Sequence, residues 1–201
     1  MIMRLSDTIH ERFFRGRRAR TLAERIADLI PRDAAVLDVG SGDGDIAGRI
    51  AALRADVTVQ GIDVLKRPET AIPVTQYDGE TFPFEEGSFD TVTIIDVLHH
   101  TLDAARLLKE AHRVARTSVV VKDHVLTGAA AYQTLRFMDR VGNERHGVSL
   151  PHTYLTYEGW ETAFAAADLT VKSWDDDLGI YFWPATLAFD RKLHFTATLA
   201  G

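Results

Sequence analysis

A glycine-rich turn held between a buried strand and a helix constrains this chain more than any other feature. Ala35, Val36, Leu37 and Val39 form a short apolar run that reads as a strand. The turn Gly40-Ser41-Gly42-Asp43-Gly44 follows, and then Ile46, Ile50 and Leu53 recur at helical spacing. Strand, turn and helix together make the first half of a βαβ unit. A turn poor in Cβ atoms lets a ligand approach the backbone, and the free amides opening the helix attract negative charge. A dinucleotide fingerprint, G-x-G-x-x-G, needs its third glycine at position 45, where this chain has Asp45. Asp38, Asp43 and Asp45 surround the turn with carboxylates, which repel a pyrophosphate and suit a ligand with a cationic ammonium or sulfonium. An NAD-dependent oxidoreductase is disfavoured on that ground.

Three further acids recur at predicted strand ends. Val57–Asp63 reads as a second strand closing on a carboxylate, which suits a pair of ribose hydroxyls. Val74–Glu80 reads as a third, ending in Asp78-Gly79, and Thr91–His100 as a fourth that carries Asp96. In order and spacing these segments resemble the motifs of the Rossmann-like (class I) S-adenosylmethionine-dependent methyltransferases. Leu98-His99-His100 is similar to a pair found in small-molecule members that include quinone-biosynthesis enzymes. The resemblance covers residues 35–123 well and 124–201 in outline. It implies an α/β fold: a Rossmann-like, seven-stranded, mostly parallel sheet with helices on both faces and the last strand antiparallel. It also implies S-adenosyl-L-methionine as cofactor, S-adenosyl-L-homocysteine as product, and a cofactor set of Asp38, Gly40, Ser41, Gly42, Gly44, Asp63, Val64, Asp78, Gly79, Asp96 and Val97. Within that set, Asp78 resembles the acceptor of the adenine amino group and Asp96 the acid bordering the methionine part.

The remaining elements fit a single domain over 1–201. Residues 1–32 are expected to form a helical lid, 33–123 the cofactor core, and 124–201 the acceptor-side helices and closing strands. Leu22, Ile26, Leu29 and Ile30 mark one helical face that Pro31 ends. The stretch between strands two and three, with Pro68 and Pro73, leaves little room for a crossover helix. Thr101 is expected to cap the next helix, with Leu102, Ala105, Leu108 and Ala111 buried. Thr117–Asp123 reads as strand five, Gly128–Val141 and Tyr157–Ala167 as helices, and Thr170–Trp174 and Ala185–Phe195 as the closing strands. Asp175, Asp176 and Asp177 read as a solvated strand end.

Methyl transfer from a sulfonium mainly requires donor and acceptor to be aligned, and a base helps where the acceptor must lose a proton. Ligands in open α/β sheets bind beyond the carboxyl ends of the strands. That rule brings His99, His100, Asp123 and His124 toward an acceptor, and the loop before Tyr154 adds His152. His124, His99 and His152 are therefore the candidate catalytic residues, with a small, hydrophobic or aromatic acceptor. No metal site is expected, since there is no cysteine and Asp123, His124 and His152 carry no distinct ligand spacing. Net charge is −6, which argues against nucleic acid as the partner. Charge is uneven, because residues 1–32 hold eight Arg against four acids. The cluster Arg12, Arg15, Arg17, Arg18 and Arg20, interleaved with Phe13 and Phe14, suits a solvated face or a basic lip over the active site that favours an anionic or membrane-associated acceptor, with a peripheral membrane contact. No run is long enough to span a bilayer and no signal-peptide pattern opens the chain, so a cytoplasmic location is expected. The rival functions are a non-catalytic cofactor-binding module of a larger complex and an RNA methyltransferase.

Overall fold

The computed structural model describes residues 16–65, 67–143 and 151–201. A helix over 16–27 (α1) leads into strand β1 (Ala35–Val39), helix α2 (Asp45–Leu53), β2 (Thr58–Asp63) and the short β3 (Val74–Gln76). Then come β4 (Phe89–Ile95), a 3-10 turn at Leu98–His100, α3 (Ala104–Val114) and β5 (Ala115–His124). The chain closes with α4 (Ala131–Asn143), α5 (Tyr157–Ala166), β6 (Thr170–Asp175), the one-turn α6 (Thr186–Phe189) and β7 (His194–Ala200).

Seven strands form one sheet in the order β3-β2-β1-β4-β5-β7-β6. The five strands from β3 to β5 are mutually parallel, and β7 runs antiparallel to both β5 and β6. The expected architecture, including its antiparallel last strand, is therefore observed. Chain order reverses between β1 and β4, which is where open α/β sheets bind ligands.

Alternation along the strands explains the two-sided burial. Leu37, Val39, Val92, Ile94, Val119 and Val121 face Leu108, Ala111, Trp160 and Phe164 of α3 and α5. Val36 and Val120 point the other way, onto Leu22, Ala23 and Ile26 of α1 and Ile50 of α2. One face of the expected lid segment within 16–30 packs onto the core, through Leu22, Ala23, Ile26, Ala27 and Ile30. The first fifteen residues of that lid, with Arg12, Phe13, Phe14 and Arg15, lie outside the described residues, as does 144–150.

Several boundaries differ from expectation for local reasons. Strand β3 stops at Gln76, and Asp78 turns the chain by accepting bonds from the Glu80 and Thr81 amides. Strand β4 stops at Ile95 because Asp96 is left-handed (φ 56°), a conformation that Asp tolerates better than most residues. Asp103, not Thr101, caps α3, accepting from the Arg106 amide, while the Thr101 hydroxyl donates to the Leu98 carbonyl. Leu102 then precedes the helix and is 90% exposed, so Leu107 and Val114 join Leu108 and Ala111 on the buried face. Residues 186–189 form a helical turn where a strand was expected; Pro184 cannot donate to a β ladder, and pairing resumes only at His194. No helix crosses over between β2 and β3 among the described residues, as the prolines predict.

Candidate functional site

The cofactor-side candidates gather along the carboxyl ends of β3, β2, β1 and β4. Gly40, Gly42 and Gly44 all adopt positive φ, and a Cβ on Gly42 would meet no atom within 4 Å. The loop therefore presents its backbone to open space at Gly42. A Cβ on Gly40 would lie 2.5 Å from Val97 Cγ2, so the absence of a side chain there lets the loop close onto the turn after β4. Asp63, at the tip of β2, accepts from the Gly42 amide (2.8 Å) and from the Leu65 amide (2.7 Å), fixing the turn and its own carboxylate together. The Ser41 hydroxyl donates to the Asp38 carbonyl at 2.8 Å. Farther along, Val64 is half exposed and its Cγ1 would lie 3.1 Å from a Cβ on Gly79, so Val64, Asp78 and Gly79 form one patch at the β2–β3 end.

Asp38 is the anomaly of this half. It is 4% exposed, it accepts a 2.7 Å bond from the Thr93 hydroxyl, and it has no ion-pair partner among the described residues. Burial pushes its carboxyl up to about 7, against the opposing hydrogen bonds of Thr93 and Ser41. A buried carboxylate without a cation beside a turn open to solvent is suited to hold a ligand's positive charge. Together with the exposed Asp78, the twin-bonded Asp63 and the open loop, it fits an amino acid–nucleoside sulfonium.

The candidate acceptor side, at the carboxyl ends of β4 and β5 and the start of β7, is built differently. Lys122 is fully buried in the β5 valine run, where its alternation places it on the same face as Val120. Its Nζ donates to Asp96 and lies 3.3 Å from His194 Nδ1. Asp96 also accepts from the Arg18 guanidinium of α1. Burial alone would raise the Asp96 carboxyl, but Lys122 and Arg18 hold it well below its ordinary value. Arg18 thus turns inward, whereas Arg17 and Arg20 remain exposed, and the expected basic cluster is split.

Asp123 and the histidines lie next to this pair. Asp123 is fully buried and accepts from His99 Nδ1 (2.6 Å), the Leu98 amide (3.0 Å) and the His124 amide (2.7 Å). Burial opposes a charge on His99, yet Asp123 and Asp139 outweigh it and push the imidazole up to about 10. Burial, then Lys122 and His99, pull His124 the other way, down to about 4. Two adjacent histidines therefore carry opposite protonation: His99 a cation, His124 a neutral ring whose Nε2 makes no hydrogen bond among the described residues. His152 has positive φ and sits 3.1 Å from Asp139 Oδ2, beside the Tyr154 hydroxyl. His124 and His194 face each other across the β5–β7 ladder.

Lys122, Asp139 and His194 were not singled out from sequence as members of this site, and Arg18 was named only as one of the basic cluster. Two of them left a signal. Lys122 is the one cation in a β-branched run, and Asp139 falls in register with Ala131 and Leu135 on the buried stripe of its helix.

Comparison with known proteins places these features in context. Residues 37–121 match a protein family described as a methyltransferase domain. The ubiquinone/menaquinone biosynthesis C-methyltransferase UbiE of Geotalea uraniireducens is 36% identical over 95 residues, covering 40% of each chain. The 27-O-demethylrifamycin SV methyltransferase of Amycolatopsis mediterranei is 29% identical over 110 residues, 47% of this chain and 40% of that one. The chain thus spans about two fifths of the length of the curated relatives it matches. Among solved structures, a complex of the Haloferax volcanii Trm112 methyltransferase activator with a putative methyltransferase shares the fold. It has 16% identity and a TM-score of 0.66, over 90% of this chain and 88% of that one.

Proposed function

We propose that the protein, whose residues 37–121 match a methyltransferase domain, transfers a methyl group from S-adenosylmethionine to a small, apolar or aromatic acceptor. The observation that carries this reading is Asp38, a buried carboxylate with no cation of its own among the described residues, beneath a loop whose Gly42 faces open space. In the proposal, Asp38 and the loop of Gly40, Ser41, Gly42 and Gly44 would hold the amino acid part. Asp63 would take the ribose hydroxyls, with Val64, Asp78 and Gly79 at the adenine and Asp96 and Val97 bordering the methionine part. S-adenosylmethionine, when bound, supplies an electrophilic methyl group and a neutral leaving thioether.

The chain's own residues supply alignment and proton handling. His124 is neutral at physiological pH, its Nδ1 lies 3.3 Å from Asp123, and it is the imidazole suited to take a proton from an acceptor hydroxyl or acidic carbon. His99, held as a cation by Asp123, cannot accept that proton and instead positions the 3-10 turn. Lys122 and Arg18 keep Asp96 ionised next to the reacting region. The relatives' names, a quinone-biosynthesis C-methyltransferase and a rifamycin methyltransferase, support a small-molecule acceptor over RNA.

The test has two stages. Calorimetry with S-adenosylhomocysteine should give one binding site per chain, and labelled S-adenosylmethionine should then transfer methyl to at least one member of a panel of hydroquinones, phenols and naphthoquinols. Absence of binding sinks the cofactor assignment. Binding with label transferred only to RNA, or only in the presence of a stoichiometric partner protein, overturns the acceptor class.

A further inference from the structure

We propose that His99 Nε2, His100 Nε2 and Asp139 Oδ1 form a three-ligand site for a divalent transition-metal ion of the zinc type. The two imidazole nitrogens each lie 3.6 Å from the same carboxylate oxygen, beyond hydrogen-bond length. That separation instead suits neighbouring ligands on one ion, since tetrahedral bonds of roughly 2.0–2.2 Å set the ligands about 3.3–3.6 Å apart. All three ligand atoms lie within 4.8 Å of one another, with His99 and Asp139 buried.

The surroundings are those a metal site needs. Asp123 accepts from His99 Nδ1 at 2.6 Å, which orients the ring with Nε2 toward Asp139, the carboxylate–histidine arrangement that commonly backs a ligating imidazole; the ion would take the place of the Nε2 proton of the free imidazolium, which is released to water. The second oxygen of Asp139 accepts from the Tyr154 hydroxyl (3.0 Å) and lies 3.1 Å from His152, while Oδ1 is the oxygen facing the two histidines. His100 Nδ1 is buried with no hydrogen bond, so the ring is not held there by a protein network of its own. Two nitrogens and one oxygen favour a borderline divalent ion over magnesium or calcium, which prefer oxygen alone. A second grouping, His99, Asp123 and His124, is also compact. Its carboxylate already accepts direct hydrogen bonds from the His99 ring and three backbone amides, which is the pattern of a closed hydrogen-bond network rather than of a ligand set. An ion at the proposed site would join α4 to the turn after β4.

The test is metal content, which needs no turnover and so does not depend on the methyl-transfer proposal. Protein stripped with a chelator, incubated with zinc and dialysed should retain about one ion per chain, and cobalt(II) should give the strong visible absorption of a tetrahedral complex. His100→Ala and Asp139→Asn should each lose the retained ion, while His112→Ala, away from the cluster, should keep it. Because His100 is partly exposed, its variant is the one expected to fold normally, with circular dichroism as the check. No retained ion in the wild type overturns the site, as does unchanged retention in both variants. Loss on His124→Ala with retention in His100→Ala would also overturn it, moving the ion to Asp123.

Discussion

The two halves of the candidate site solve opposite electrostatic problems. At the ends of β1, β2 and β3, Asp38, Asp63 and Asp78 have no ion-pair partner among the described residues: Asp38 is buried, and Asp63 and Asp78 are held by backbone amides. At the ends of β4, β5 and β7 the carboxylates are matched inside the protein. Asp96 has Lys122 and Arg18, and Asp123 has His99. The first half leaves its carboxylates for a ligand to complete in the proposed function. The second is neutralised internally, so that in the proposed function an acceptor would meet rings and satisfied charges rather than a bare ion.

The largest expected effect tests that internal matching. Lys122→Met should destabilise the protein by about 3–5 kcal/mol in denaturant unfolding, because it leaves a buried carboxylate short of its principal cation. The double variant Lys122→Met/Asp96→Asn should recover much of the loss, and an uncoupled pair of effects would break the contrast drawn between the two halves. Next in size is His124→Ala, expected to lower methyl-transfer turnover about a hundredfold with cofactor affinity unchanged. Equal turnover would remove it as the base.

Smaller effects sharpen the cofactor side. Asp63→Ala should weaken S-adenosylhomocysteine about 30-fold in calorimetry, the equivalent of roughly 2 kcal/mol of charge-assisted hydrogen bonding. Unchanged affinity would refute the ribose assignment. The smallest signal is a pH profile. Burial raises Asp38 to about 7, so the folded state favours its protonated form. That contribution is complete below its unfolded value, near 4, and is lost as the pH rises through 7. Thermal melts without cofactor should therefore show Asp38→Asn gaining on the wild type from pH 5 to pH 8, by about 1 kcal/mol once solvent relaxation is allowed for. A constant gap between the two curves would mean that Asp38 is not desolvated.

The difference between the halves is also a difference in what local sequence can carry. The loop from Gly40 to Gly44 and the acids at 38, 63 and 78 lie within or just after short apolar runs. Strand periodicity alone therefore puts them at one end of the sheet. No described helix of the molecule is long and apolar enough to cross a membrane, again a property of runs. Boundaries were lost where a single side chain overrode periodicity, as when Asp96 went left-handed and ended β4 early, or Asp103 displaced Thr101 as a cap.

By itself, then, the sequence determined the parallel sheet, the glycine loop and the row of strand-end acids, because each depends on residues within a few positions of one another. Only the tertiary structure decided that Arg18 reaches Asp96 across 78 positions, that Lys122 meets His194 across 72, and that Asp139 of α4 comes up against His99 and His100. It also decided which histidine is charged. His99 and His124 have the same intrinsic affinity for a proton; burial opposes a charge on both, Asp123 and Asp139 overcome it at His99, and Lys122 and His99 add to it at His124.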